Sequence, residues 1–510
     1  MSPGPDGRTS SQLVEKLAEI VGRDRLLTEP EDRYVYSFTG EFATQRRKQP
    51  IAVVRPRTED EGRELARLIE SYGARAAWND VLEDVPEDED SQVVLLDRDD
   101  WVTARNLSAI LSELEKEKGE GKGRLRSSSN FPDWFVTNLK SRDGYRIGER
   151  PGADDGFCTV QSYFDGVETY SSKGRLILTR GLMADEIEAS YRLVDSIYSC
   201  TTCGQCYDQL SLMGLEMNNV IVLARREVAS RGIEPGHCRI VSGQILADGN
   251  PMGMPAEDRS LWYEEAAEEH PFEGNEVLYW TGCSTSYRLP EVVEATTSVL
   301  AEAGVDFGLL GEEEGCCGLV LYLMGLWDEA KGNAEQAVAK FRERGVKTLV
   351  TGCAGCLYAF KRVYAMLDVP LHVNVLHTSQ LIEALVKEGR LRLKESSGRY
   401  VWHDPCDLGR HCKIYDPPRN VLKSIPGLEL VEPSLSREHA LCCGAGGGLM
   451  AYDADLSKRI AVSKLKDEIV PMKVEGIVTG CPACIINLRY ALEPQEVPVY
   501  DLAQLVEMSL

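Results

Sequence analysis

The chain contains no run of 18 apolar residues, so its sequence offers no membrane-spanning helix. Its opening residues, MSPGPDGRTSSQ, hold no apolar core of the kind a secretory signal carries, so export by that route is not expected. Positive charge is scarce relative to negative. The 57 Lys and Arg residues against 81 Asp and Glu leave a formal net charge of −24. A surface of that sign repels phosphate backbones and anionic lipid headgroups, which excludes nucleic acid as the main partner. The expectation is a cytoplasmic, globular chain, long enough at 510 residues for three or four domains.

What the chain has in quantity is cysteine, 16 in all. A reducing compartment disfavours disulfides, whereas adjacent Cys-Cys and repeated Cys-x-x-Cys are spacings for thiolate ligands. Two sets of five fall in one pattern that occurs twice. The first copy reads GCS at 282–284, GCCG at 315–318 and GCAGC at 352–356, with Cys283, Cys316, Cys317, Cys353 and Cys356. The second reads DPCDLG at 404–409, LCCGAGGG at 441–448 and GCPAC at 480–484, with Cys406, Cys442, Cys443, Cys481 and Cys484. Corresponding cysteines lie 123 to 128 residues apart, so the pattern predicts two paired domains, 276–390 and 398–510. In each copy an apolar run leads into a cysteine and a helical pattern follows, as in NEVLYWTG before Cys283 and GIVTG before Cys481. Strand alternating with helix predicts parallel α/β sheets, with the cysteines at the carboxyl ends of strands.

A further run, SCTTCGQC, carries Cys200, Cys203 and Cys206 between helical patterns in the stretch 151–250. Three thiolates on so short a turn converge on one iron–sulfur cube, and a remote cysteine supplies the fourth ligand. Zinc usually takes two Cys-x-x-Cys knuckles, and only one such run is here. Before it, residues 79–150 read as charge-rich and irregular, with ELEKEKGEGKGRLRSSS as an exposed linker. Residues 11–78 read as α/β: SQLVEKLAEIV and EDEGRELARLIESYG have helical spacing, and PIAVVRPR is a buried strand.

These stretches resemble known families. LVEKLAEIVGRDRLLTEPEDRYVYS and IAVVRPRTEDEGRELARLIESYGA are similar to the opening of the flavin-binding domain of glycolate and lactate oxidases. The glycine-rich phosphate-binding loop of that domain is missing, because the chain continues AAWNDVLEDVPEDEDSQ. Segment 1–78 is therefore read as a truncated FAD-linked-oxidase-like piece, and the chain is expected to bind no FAD of its own. The region 151–250 resembles the two-cluster ferredoxin domain of glycolate oxidase iron–sulfur subunits and heterodisulfide reductases. That family has two Cys-x-x-Cys-x-x-Cys-x-x-x-Cys-Pro runs. Here the cysteine expected after Cys206 falls at Leu210, and of the other run only Cys158 survives. The resemblance implies a single cubane held by Cys158, Cys200, Cys203 and Cys206, with Cys238 as the alternative fourth ligand.

Residues 276–510 resemble the cysteine-rich CCG domains of heterodisulfide reductase catalytic subunits. The resemblance implies two Rossmann-like domains, each five-cysteine set holding a non-cubane [4Fe-4S] cluster, with a disulfide cleaved between them. Gly318, Gly444 and Gly446 would let the backbone approach such a core and present N–H groups to its sulfurs. His403, in HDPC, is the candidate proton donor or capping residue. Arg410 and Arg419 are candidates for steering an anionic substrate or for ion pairing. Cys412 lies outside the five-cysteine pattern, and His377 is read as structural. The implied partner is an electron-donating flavoprotein or membrane cytochrome b, through which the chain is peripheral to the membrane. The substrate is a small disulfide or a 2-hydroxy-acid system. Two rival readings stand beside disulfide reduction: the iron–sulfur subunit of a glycolate- or D-lactate-oxidising complex, and a non-catalytic electron conduit.

Overall fold

Apolar stretches bounded by amphipathic ones become the strands and helices of two compact units in the structure, a computed structural model. It describes residues 10–39, 45–46, 50–56, 59–78, 93–96, 158–164, 166–206, 217–492 and 497–510. Among these, one unit holds 10–96 and 164–196, and the other holds 158–163, 197–206 and 217–510.

In the first unit the strands are β1 Leu26–Leu27, β2 Phe38–Thr39, β3 Gln45–Arg46, β4 Ala52–Val54, β5 Arg75–Trp78 and β6 Val93–Leu96. One sheet runs β1-β4-β6-β5, and β2 pairs with β3. The pairing is parallel except for β1 with β4 and for β2 with β3. The expected helices form as Ser10–Val21 and Glu59–Ser71. Leu13, Leu17 and Val21 recur at helical spacing and pack with Leu65 and Ile69 over Ala52 and Val54. The stretch 79–150 is not irregular throughout, for Val93–Leu96 is a strand hydrogen-bonded on both sides. An apolar VVLL flanked by acidic residues is long enough to bury as a central strand, and Val94 is fully buried. The rest of 79–150, with its exposed linker, lies outside the described residues, as does Leu210. The helical patterns read over 151–250 form as Ser172–Met183, Tyr191–Tyr198 and Met217–Ser230, and a further helix, Gly236–Asp248, follows them.

In the second unit the duplication becomes visible as topology. The first copy has β7 Val277–Tyr279, β8 Phe307–Gly308, β9 Thr348–Thr351 and β10 Asn374–His377, in the order β10-β9-β7-β8. The second has β11 Gly398–Trp402, β12 Leu428–Val431, β13 Gly476–Thr479 and β14 Val499–Asp501, in the order β12-β11-β13-β14. Both sheets are parallel throughout and have the same connectivity read in opposite directions. The fold is thus α/β with paired parallel sheets, as the strand–helix alternation predicts.

The copies pack about a pseudo-two-fold relation. Helix Pro290–Glu302 packs on Leu502–Glu507, and its counterpart Asp416–Ser424 packs on Thr378–Lys387. Helix Ala354–Tyr358 meets the π-helical turn Asp407–His411, and reciprocally Pro482–Ala491 meets Cys283–Arg288. One continuous apolar core runs through both copies and includes Trp280 and Trp402. Burying side chains of that size contributes about 1.5–3 kcal/mol each.

Candidate metal centres

Cys283, Cys353, Cys406 and Cys481 follow the carboxyl ends of β7, β9, β11 and β13, the two Cys-Cys pairs lie in loops after the short turns Gly311–Glu313 and Arg437–His439, and Cys356 and Cys484 sit in the first turn of helices. Gly282, at φ +80°, turns β7 into the short helix that starts at Cys283. Gly318 and Gly444, at φ +75° and +88°, follow the two Cys-Cys pairs. Their N–H groups donate to the sulfurs two residues back, Gly318 to Cys316 Sγ at 3.4 Å and Gly444 to Cys442 Sγ at 3.3 Å. A left-handed residue here costs a side chain that glycine lacks. Cys353 caps its helix by accepting the Cys356 N–H at 3.4 Å.

The fold gathers the thiols of each copy into one chain of contacts in the same order. In the first, Cys283 touches Cys316, Cys317 touches Cys316 and Cys356, and Cys356 touches Cys353. In the second, Cys406 touches Cys442, Cys443 touches Cys442 and Cys484, and Cys484 touches Cys481. Cys443 and Cys484 have their sulfurs 3.1 Å apart. Shared protons drive neighbouring thiols in opposite directions: hydrogen bonds from Cys316 and Cys356 pull Cys317 down to about 6, while bonding to Cys317 raises Cys356. Buried groups brace both sets. Glu314 accepts from Gly282 N–H at 2.7 Å and Thr281 N–H at 2.9 Å, and pairs with the buried Arg259 at 3.2 Å. Asp404 accepts two bonds from Arg419 at 2.7 Å and one from the Trp402 indole at 3.0 Å.

The Cys200–Cys206 loop docks on the second set. Cys203 is in hydrogen-bond contact with Cys442. Gly446 and Gly447 make room for it: a Cβ on Gly447 would stand 2.5 Å from Thr201 C, and one on Gly446 would stand 3.0 Å from Thr201 O. Three cationic or aromatic groups hold its carbonyls. Arg225 donates to Cys200 O at 2.7 Å, Arg410 to Cys203 O at 2.6 Å, and His411 Nε2 to Thr202 O at 3.0 Å. Arg225, fully buried, also donates to Gly447 O at 2.5 Å and Leu323 O at 2.7 Å. One guanidinium therefore ties this loop to both copies. Beside Cys158, Thr159 Oγ1 donates to Gln205 Oε1 at 2.9 Å. Cys238 is buried on helix Gly236–Asp248, and burial pushes its thiol up to about 11.

His403 is buried against Cys443 and Cys484. Arg410 is buried too. Besides Cys203 O it donates to Glu438 O and Ala440 O, while its Nη2 has no hydrogen-bond partner. Arg419 is committed to Asp404 and Glu432, an internal ion-pair network and not an open anion site. His377 is held at both ring nitrogens, as a structural residue is. Cys412 is half-buried, and burial pushes it up to about 12. A cavity of about 200 Å³ opens beside the docked loop, lined by Gly204, Tyr358, Arg362, Arg410, His411 and Lys413.

Arg225, His411 and Asp407 were not singled out from sequence. A signal existed for Arg225: it is the one cation on a helix face whose other members are Val220, Ile221, Ala224 and Val228, all buried. Asp407 lies next to Cys406, and burial raises its carboxyl to about 6.

The cysteine-rich CCG domain family matches residues 277–361 and 400–489. A subunit of the dihydromethanophenazine:CoB–CoM heterodisulfide reductase of Methanosarcina acetivorans is 30% identical over 374 residues, covering 71% of this chain and 89% of that protein. The probable iron–sulfur-binding oxidoreductase FadF of Bacillus subtilis is 32% identical over 62% of this chain, and the match spans only 47% of that longer protein. The EtfAB:quinone oxidoreductase of Syntrophomonas wolfei is 30% identical over 61% of this chain and 46% of its own length. No helix among the described residues is long and apolar enough to cross a membrane. With both CCG repeats matched and the Methanosarcina relative aligned over most of its length, the chain belongs to the family of CCG-domain iron–sulfur oxidoreductase subunits that includes this heterodisulfide reductase component.

Proposed function

We propose that this chain is the catalytic iron–sulfur subunit of a heterodisulfide-reductase-type complex, reducing a small disulfide to two thiols or running the reverse. In this reading Cys283, Cys316, Cys317, Cys353 and Cys356 hold one non-cubane [4Fe-4S] cluster. Cys406, Cys442, Cys443, Cys481 and Cys484 hold a second, and Cys158, Cys200, Cys203 and Cys206 hold a cubane. The residues fit such groups: the thiols are gathered, and the N–H groups of Thr202, Gly318 and Gly444 already donate to cysteine sulfur. Bound clusters of this kind supply one-electron storage and transfer. The observation that carries the reading is the contact of Cys203 with Cys442, which joins the loop of one set to the second member of a duplicated pair.

Reduction of one disulfide takes two electrons and two protons and yields two thiols. The electrons come from a partner, a flavoprotein or a membrane cytochrome b. On a chain of net charge −24, a cavity lined by the cations Arg362, Arg410 and Lys413 and one carboxylate, Glu438, favours an anionic disulfide, and the Methanosarcina relative is named for the CoB–CoM heterodisulfide. Gln205 beside Thr159 favours Cys158 over Cys238 as the fourth cubane ligand.

A second reading is favoured by the FadF and EtfAB:quinone oxidoreductase relatives: an electron-transfer subunit between a flavoprotein and another carrier, without disulfide chemistry. Both are tested on anaerobically purified protein with iron and sulfide counted. Three four-iron clusters require about twelve irons, and a value near eight or below removes at least one. Chemically reduced protein with full iron should release two thiols per added anionic disulfide; none released leaves the conduit reading. Cys158→Ser should lose the cubane spectrum while Cys238→Ser keeps it.

A further inference from the structure

The two five-cysteine sets carry different residues three positions before the first cysteine of each. In the first copy that residue is Trp280, and in the second it is His403. Trp280 is packed edge-on against Phe341 and Phe360, with ring centroids 5.6 and 5.3 Å away. His403 occupies a different environment. Its backbone is satisfied, with N–H donating to Val478 O at 2.8 Å and its carbonyl accepting from Thr479 Oγ1 at 3.1 Å. Its ring is not: it is 2% exposed, and neither Nδ1 nor Nε2 has a hydrogen-bond partner. An unsatisfied buried polar atom costs about 1–3 kcal/mol. The buried His377 avoids that cost through Ser379 and Gly480, and the half-buried His411 through Thr202 at Nε2 and Asn218 at Nδ1.

What faces the His403 ring is sulfur. One of its nitrogens, Cys443 Sγ and Cys484 Sγ all lie within 4.8 Å of one another, and all three residues are buried. A four-coordinate metal with sulfur at about 2.3 Å and nitrogen at about 2.0 Å sets such ligand atoms roughly 3.5 Å apart. The three atoms are thus spaced to share one metal ion after shifts of a fraction of a side-chain rotation.

We infer that His403 is a nitrogen ligand of the second centre, completing one iron held by Cys443 and Cys484, whereas the first centre is held by sulfur alone. The inference rests on the reading that the second set carries an iron–sulfur cluster. Its consequence is that the two centres are inequivalent. With five thiolates in each set, the neutral imidazole is a ligand that only the second centre has, so the two centres differ in midpoint potential. The centre with the nitrogen ligand is the one against which the Cys200–Cys206 loop is docked.

The test uses the full chain, purified anaerobically, with iron and sulfide counted and histidine labelled with ¹⁵N. Pulsed EPR of the second centre should give a directly coordinated nitrogen whose coupling changes with the isotope. The coupling should vanish in His403→Phe and survive in Trp280→Phe. Should His403→Phe fail to fold, His403→Cys keeps a metal ligand; it should lose the nitrogen coupling and lower the midpoint potential of that centre. A fully iron-loaded protein with no isotope-sensitive coordinated nitrogen overturns the inference and leaves the cluster reading standing. A second set that takes up no iron overturns the cluster reading and the inference with it.

Discussion

His377 Nε2 and the carbonyl of Gly480 lie 3.0 Å apart, a hydrogen bond that joins the two copies of the repeat across 103 residues. The same nitrogen reaches Gly352 O at 3.3 Å, so it must carry the proton, since carbonyls only accept. Gly352 and Gly480 are equivalent residues, each immediately before the first cysteine of a Cys-x-x-Cys. One buried imidazole thus holds corresponding turns of both sets.

The burial of this imidazole, which its two carbonyl bonds only partly offset, makes stability depend on pH in a defined window. Burial pushes His377 down to about 4 from an ordinary value of 6.5. Between those values the unfolded chain binds more protons than the folded one, so stability falls as pH falls from 6.5 through 4. The loss attributable to this group reaches roughly 3 kcal/mol. His377→Gln should flatten the profile between pH 6.5 and 4 relative to the parent in anaerobic denaturation. Superimposable slopes would remove the assignment.

Gly447 is set against the Cys200 loop with no room for a side chain. It stands at φ +65°, and a Cβ would meet Thr201 C at 2.5 Å and Cys200 O at 2.6 Å. If the clusters are held as proposed, Gly447→Ala should displace that loop and diminish the cubane signal while the two CCG sets keep their iron. Gly304→Ala is the control: φ is +60° with nothing within 4 Å, so only the backbone cost of about 1–2 kcal/mol applies. Equal effects of the two substitutions on the cubane signal would count against close packing.

Arg225 is the central tie of the second unit. Arg225→Met removes the donors from Cys200 O, Gly447 O and Leu323 O, leaving buried carbonyls unsatisfied. A cost of about 3–5 kcal/mol is expected. Arg225→Lys, which keeps the charge but not the fork of donors, should recover only part of it. Denaturant midpoints of the three proteins decide the matter.

Asp404 and Arg419 form a doubly bonded buried pair that also receives the Trp402 indole. Burial opposes the Asp404 charge, but Arg419 outweighs it and holds the carboxyl below its ordinary 3.8. A depressed acid adds stability above its unfolded value and loses it as pH falls through the folded one. Asp404→Asn should cost about 3–5 kcal/mol near neutral pH, because it leaves a buried cation short of its partner. A change under 1 kcal/mol in an equilibrium melt would contradict this.

Much of this molecule could be read before its fold. The cysteine ladder, repeated at 123 to 128 residues, announced the duplication, and the apolar runs before Cys283 and Cys481 announced parallel strands. Those signals are local: ligand spacing and side-chain periodicity live within a few residues of chain. The strand at Val93–Leu96 escaped because four residues carry too little period against a charged background. Arg225 and His411 were hidden for another reason, since each is defined by carbonyls that the sequence places far away.

The cysteines and their division into two repeats were legible in residue order, because Cys-Cys and Cys-x-x-Cys spacings are local and recur at a fixed interval. Packing in three dimensions chose which set the Cys200–Cys206 loop meets, which histidine bridges the copies and which faces sulfur. Hydrogen bonds and close contacts depend on distance in space. Two copies nearly alike in their cysteine pattern become different sites once a buried Trp280 in one answers to a buried His403 in the other.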